Sequence, residues 1–246
     1  MLGVVDYFKC SNCGFMVSKT HSEMDEKAWK ALNYKFHSYI ENQSNKKNFN
    51  QPPYLDIATL LNVLQKHEII SSNYIDWGGG YGTLSKIVLK YFNILLPVYE
   101  KYMQDDTLSD EIKYLSQDNI RNKKFETVVN SAVFEHITKK EHLDEINSFV
   151  SNTGSLVLHT VVCEEIPKDP DWFYLLAVHS AFHTNKSMSH LMKQWGYYSS
   201  IYCPTAKSWV LFKKKNLDIE EKIERINTEF QFEYLFYKKG FVDYWK

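Results

Sequence analysis

A chain of 246 residues is long enough for one large domain with appendages, and its 44% apolar and 24% charged residues are ordinary for a globular protein. With 29 basic against 30 acidic residues it has no net positive field to attract nucleic acid. No apolar run is long enough to span a membrane, no charged-then-apolar leader opens the chain, and the four cysteines lack disulfide-framework spacing, so a cytoplasmic protein is expected.

Residues 1–53 read as an N-terminal segment. "YFKCSNCGF" sets Cys10 and Cys13 three positions apart, and "DEKAWKALNYKFHSYI" places Trp29, Leu32, Phe36 and Ile40 at helical spacing. The polar stretch "ENQSNKKNFNQPP", Glu41 to Pro53, reads as a loop or linker. A second amphipathic helix follows in "YLDIATLLNVLQKH", through Ile57, Leu60, Leu61 and Leu64.

From there short apolar runs alternate with helical patterns, the mark of βαβ units and a parallel sheet. "NYIDW" leads into a glycine loop and the helix "TLSKIVLKYF". "ILLPVYE", "IKYLSQD", "FETVVNSAVF" and "GSLVLHT" are the next four strand candidates, with the helix "KKEHLDEINSFV" before the last. An insertion of helical character runs over residues 163–195. "YYSSIYC" and "KSWVLFKKK" then close the domain as two strands joined through Pro204. The expected core domain is thus 54–213. Residues 214–246 read as a helical extension, with Ile219, Ile223, Ile226 and Phe230 on one face.

The loop "DWGGGYG" holds Gly78, Gly79, Gly80 and Gly82, four of the chain's nine glycines. It joins a strand to a helix N-terminus, where unpaired N–H groups meet a ligand and glycine allows close approach. The spacing G-x-G-x-G differs from the G-x-G-x-x-G of dinucleotide sites. Preceded by Asp76 and followed about twenty residues on by Glu100, the loop resembles the first motif of class I S-adenosylmethionine-dependent methyltransferases. The resemblance covers roughly residues 74–212. It implies a Rossmann-like α/β fold with a mostly parallel sheet, an antiparallel closing hairpin and helical additions at both ends. It also implies S-adenosylmethionine as cofactor. Asp76, Gly78, Gly80 and Gly82 would lie against its amino-acid part and Glu100 on the ribose. Asp118 would lie by the adenine, with Asn119 and Asn130 completing the set.

The acceptor is expected beyond the carboxyl ends of the strands. "NSAVFEHI" resembles the metal-binding segment of the quinone-biosynthesis O-methyltransferases. Glu135 and His136 match it, while Ala132 replaces that segment's first glutamate. His159 ends the fifth strand candidate, and His179 and His183 would share one face if their segment were helical. Glu135, His136, His159 and His183 are therefore the candidate catalytic residues, as a base or as holders of an anion. The insertion resembles that of methyltransferases of bacterial capsular polysaccharide, which implies O-methylation of a sugar or phosphoramidate precursor. An N- or C-methyltransferase of a nucleotide-activated sugar and a non-catalytic cofactor-binding subunit are the alternatives. Cys10 and Cys13 are half of a zinc site, which His21 and His37 could complete. Cys163 and Cys203 read as ordinary buried thiols.

Overall fold

The structure is a computed structural model that describes residues 3–41, 52–101 and 111–243. Most of the stretch read as a linker (42–51), the side chain of Ile40 and the last three residues lie outside the described residues.

The chain opens with a hairpin of β1 (Tyr7–Lys9) and β2 (Met16–Ser18), turned by the segment that carries Cys10 and Cys13. Helices α1 (Lys19–Ser22) and α2 (Glu26–Glu41) follow. Helix α3 (Tyr54–Lys66) buries Ile57, Leu60, Leu61 and Leu64, the stripe its spacing predicts. Next come β3 (Tyr74–Trp77), α4 (Thr83–Phe92), β4 (Val98–Tyr99), β5 (Tyr114–Leu115) and the short α5 (Gln117–Ile120). The second half contains β6 (Phe125–Ser131), α6 (Lys140–Ser148), β7 (Val150–His159), β8 (Val162–Cys163) and β9 (Ala181–Thr184). It ends with α7 (Asn185–Gln194), β10 (Ser199–Cys203), β11 (Ser208–Phe212), α8 (Ile219–Phe230) and β12 (Phe236–Lys239).

Eight strands form one sheet in the order β12-β10-β11-β7-β6-β3-β4-β5. The pairs from β7 to β5 are parallel, and β11 and β10 close the sheet antiparallel, as the sequence predicts. Strand periodicity divides the core in two. Val129, Val157 and Val210 face α3, α4 and α8 on one side. Their neighbours Val128, Leu156, Leu158 and Leu211 face α6 and α7 on the other. The strand order reverses between β3 and β6, which places a crevice at their carboxyl ends.

Three features differ from expectation. The C-terminal extension is not wholly helical, because β12 adds an antiparallel edge to β10. Ser200 fixes this edge by donating to Gly240 O at 2.8 Å and accepting from Val242 N at 2.7 Å. Residues 163–195 are helical only in α7. Their first half is turns and β9, which pairs with both β8 and β2, so that the insertion and the N-terminal hairpin build a second sheet, β1-β2-β9-β8. The third strand candidate is shorter than predicted, since Ser116 caps α5 directly after Leu115.

Candidate active site

The glycine loop runs from the end of β3 into α4, and Gly78, Gly80 and Gly82 all have positive φ, from 53° to 76°. Their neighbours differ. A side chain on Gly79 would sit 2.5 Å from Asp76 Oδ2 and 2.9 Å from Val98 Cγ1, so packing alone excludes one. A side chain on Gly80 would meet nothing within 4 Å, because that residue faces open space. Gly80 N donates to Glu100 Oε2 at 3.0 Å, which sets the carboxylate at the end of β4 beside the loop. Asp76 lies beneath, 1% exposed, with Oδ1 unpartnered. Burial, and secondarily the Glu100 charge, push its carboxyl up to about 7. Asn130, fully buried in β6, donates to Trp77 O at 2.9 Å and braces the strand that carries the loop.

Gly80, Glu100 and Asp76 line one end of a cavity of about 1090 Å³. Its walls continue over α2 (Trp29, Asn33, His37), past Ala132 and His159, to Glu135, His136 and His179. Ala132 has φ +57°, an uncommon conformation for a residue with a side chain and a sign of local strain at the site. Its N–H donates to His159 O at 2.9 Å, tying the ends of β6 and β7 together.

Glu135 is 2% exposed in a short 3-10 turn after β6. Its Oε1 accepts from Tyr174 OH at 2.7 Å, and its Oε2 from Thr160 Oγ1 at 3.2 Å. Burial pushes its carboxyl up, against the opposing pull of the Tyr174 hydroxyl. His136 meets His179 edge to face, ring centres 5.2 Å apart, and His37 lies 5.5 Å from His136 on the other side. His179 Nδ1 lies 2.8 Å from Tyr174 O; a carbonyl only accepts, so Nδ1 carries the proton and Nε2 keeps a lone pair. By the same logic His159 Nδ1, 2.9 Å from Lys207 O, carries a proton. Burial lowers the pKa of His179 to about 4 and that of His136 well below its ordinary value. At neutral pH these rings are therefore uncharged.

The cavity gathers Asp76, Gly78, Gly80, Glu100, Glu135, His136 and His159 from the expected residues, and leaves others outside. Asp118 and Asn119 are exposed on α5, where the Asn119 side chain and Ser116 form a capping box. Neither Asp118 nor Asn119 lines the cavity. Gly82 packs under Ile112 and Asn130 works from behind β3, so each supports the loop from outside the cavity. His183 is 1% exposed in β9, wedged between Phe15 and Phe134 with both ring nitrogens unpartnered. Its segment is a strand, so it does not share a helix face with His179.

The N-terminal zinc set does not assemble as expected. His21 is engaged elsewhere, through Ser18 Oγ at 2.6 Å and Ala177 O at 3.0 Å, and His37 lies at the cavity. Among the described residues no third His, Asp or Glu groups with Cys10 and Cys13 as metal ligands do. Cys203 is buried, while Cys163 is half-buried and lines the cavity, its thiol pushed up to about 11 by burial. The helix α2 was legible in the sequence, but its place over the cavity and that of Tyr174 were not. Nothing in their local pattern separates a tyrosine that holds a carboxylate from one that fills a core.

No protein-family model matches the sequence, and no curated protein sequence does either. Solved structures share the fold. An O-methyltransferase family protein from Burkholderia thailandensis superposes with a TM-score of 0.52 at 14% identity. That match covers 80% of this chain and 62% of that one, so the chain spans less than two thirds of its length. The Burkholderia thailandensis 1,6-didemethyltoxoflavin-N1-methyltransferase, solved with 1,6-didemethyltoxoflavin and S-adenosylhomocysteine bound, also gives a TM-score of 0.52, at 10% identity. There the match covers 86% of this chain and 99% of that one. The chain therefore has the class I methyltransferase fold. Among the described residues no helix is long and apolar enough to cross a membrane.

Proposed function

We propose that this chain is an S-adenosylmethionine-dependent O-methyltransferase acting on a small polar acceptor. The observation that carries the reading is the open space over Gly80, flanked by the Glu100 carboxylate and the unpartnered Asp76 Oδ1 at the switch point of the sheet. The residues fit the cofactor: Glu100 can accept from the ribose hydroxyls and Asp76 can face its amino-acid part. Bound there, S-adenosylmethionine supplies an activated methyl group on a sulfonium. The protein's task is then to align an acceptor oxygen and keep water out. The cavity suits this, running from the glycine loop to Glu135, His136 and His179 under the cover of α2. His159 lines that path and would take a proton from an acceptor hydroxyl. The polar far end agrees with a saccharide or phosphoramidate acceptor, the finer reading that the sequence resemblance suggests.

The test is calorimetry with S-adenosylhomocysteine. Wild type should bind it, and Glu100→Ala should bind about 1.5–3 kcal/mol more weakly, as for the loss of hydrogen bonds to a charged group. Unchanged affinity in that variant would remove Glu100 from the cofactor site. Transfer of labelled methyl from S-adenosylmethionine into a small-molecule fraction checks the activity itself.

A further inference from the structure

In the cavity, beyond the part assigned to the cofactor, Glu135, His136 and His179 each offer one ligand atom, and these atoms all lie within 4.8 Å of one another. No hydrogen bond or ion pair among the described residues joins the carboxylate to either ring. The three groups face one another without satisfying one another. His136 Nδ1 is buried with no partner, and the hydrogen bond from His179 Nδ1 to Tyr174 O leaves His179 Nε2 with a lone pair and nothing to accept.

Glu135 accepts from the hydroxyls of Tyr174 and Thr160 and from its own backbone N–H, and no ion pair joins it to a Lys, Arg or His among the described residues. A buried carboxylate without a cation is costly. The two hydroxyls leave it lone pairs for a further partner, and they fix its orientation as an outer ring of hydrogen bonds does around metal ligands. Bonds of about 2.1 Å hold ligand atoms up to about 4.2 Å apart across one ion, so the set closes on a cation with small side-chain shifts. Two imidazoles and one carboxylate favour a borderline divalent transition ion over magnesium or calcium.

We propose that Glu135, His136 and His179 form a site for one divalent transition-metal ion, of which zinc is the type, with its open coordination position facing the acceptor end of the cavity. Two of the ligands leave β6 together and the third comes from the turns before β9, so the ion would pin the insertion to the main sheet. The proposal rests on the methyltransferase reading only for the ion's task, which is to hold an oxygen of the acceptor. The site itself stands on the three side chains.

The test uses the full-length chain carrying Cys10→Ser and Cys13→Ser, so that thiols do not compete. After chelation and dialysis it is titrated with Zn²⁺, and separately with Co²⁺ read by its visible absorption. Binding of close to one equivalent, a cobalt spectrum free of thiolate bands and loss of at least tenfold in affinity in His179→Ala support the proposal. A folded protein that takes up no stoichiometric metal overturns it, as does undiminished binding in a folded His179→Ala. If His179→Ala does not fold, His136→Asn is read by the same criteria, and the wild-type stoichiometry decides by itself when it is zero. S-adenosylhomocysteine binding is measured on the same samples. Metal without cofactor binding then refutes the methyltransferase reading and leaves the metal site standing, whereas cofactor without metal does the reverse.

Discussion

Asp76 and His183 are both buried titratable groups, and burial moves them in opposite directions. The Asp76 carboxyl rises from its ordinary 3.8 to about 7, so the folded chain holds the proton more tightly than the unfolded one. Its stabilising contribution is present in acid and is lost as pH rises through about 7. Asp76→Asn should therefore gain stability relative to wild type between pH 5 and pH 8. Urea unfolding of both proteins at the two pH values checks the difference, and parallel pH trends would contradict it. For His183 the folded pKa falls from 6.5 to about 4 because no partner compensates its burial. Its contribution is present above pH 6.5 and is lost as pH falls toward 4. His183→Leu, which keeps an apolar contact with Phe15 and Phe134, should lose less stability than wild type between pH 7 and pH 4.5.

Among the elements, β12 shows how the end of the chain is secured. It pairs with β10 on one edge, and beyond it Phe241 stacks on Trp209 with ring centres 5.5 Å apart. Trp209 Nε1 donates to Val242 O at 2.9 Å. Ser200 makes the other two bonds across this edge, so Ser200→Ala leaves Gly240 O and Val242 N without them. A loss of about 1–3 kcal/mol in unfolding free energy is expected, with a change in Trp209 fluorescence at lower denaturant than global unfolding. Coincident transitions would mean that the edge is not a separate unit. The small sheet is the counterpart at the other end. Through β2 and β9 it joins the N-terminal hairpin to the turns that deliver Tyr174 and His179 to the cavity.

For the molecule as a whole, cofactor binding must stabilise the fold it selects. At a hundredfold excess over its dissociation constant S-adenosylhomocysteine should add about 2.7 kcal/mol to unfolding. In a chain of this size that is a rise of roughly 5–10 °C in melting temperature. Glu100→Ala at the same ligand concentration should show a smaller rise. Equal shifts in the two proteins would mean that the ligand stabilises through another site.

The sequence by itself determined the main sheet from β5 to β10 and the glycine loop. Both rest on local rules: period-two apolar runs for strands such as "GSLVLH", helical stripes such as Ile57, Leu60, Leu61 and Leu64, and glycines where a strand turns into a helix. The positions of Asp76 and Glu100 beside the loop were legible for the same reason, since Asp76 lies near the end of β3 and Glu100 directly follows β4. Only the tertiary structure decided the far end of the cavity. His136 and His179 lie far apart in sequence and meet because residues 163–184 fold as turns and strands instead of a helix. His183 had the same local credentials as His179, yet β9 points it into a core of aromatic rings. Asp118 follows a strand as expected, but the Ser116 cap starts α5 directly after β5, which leaves Asp118 exposed on that short helix. Each of these outcomes depended on contacts between segments distant in sequence or on where a strand stops, and residue type and spacing specify neither.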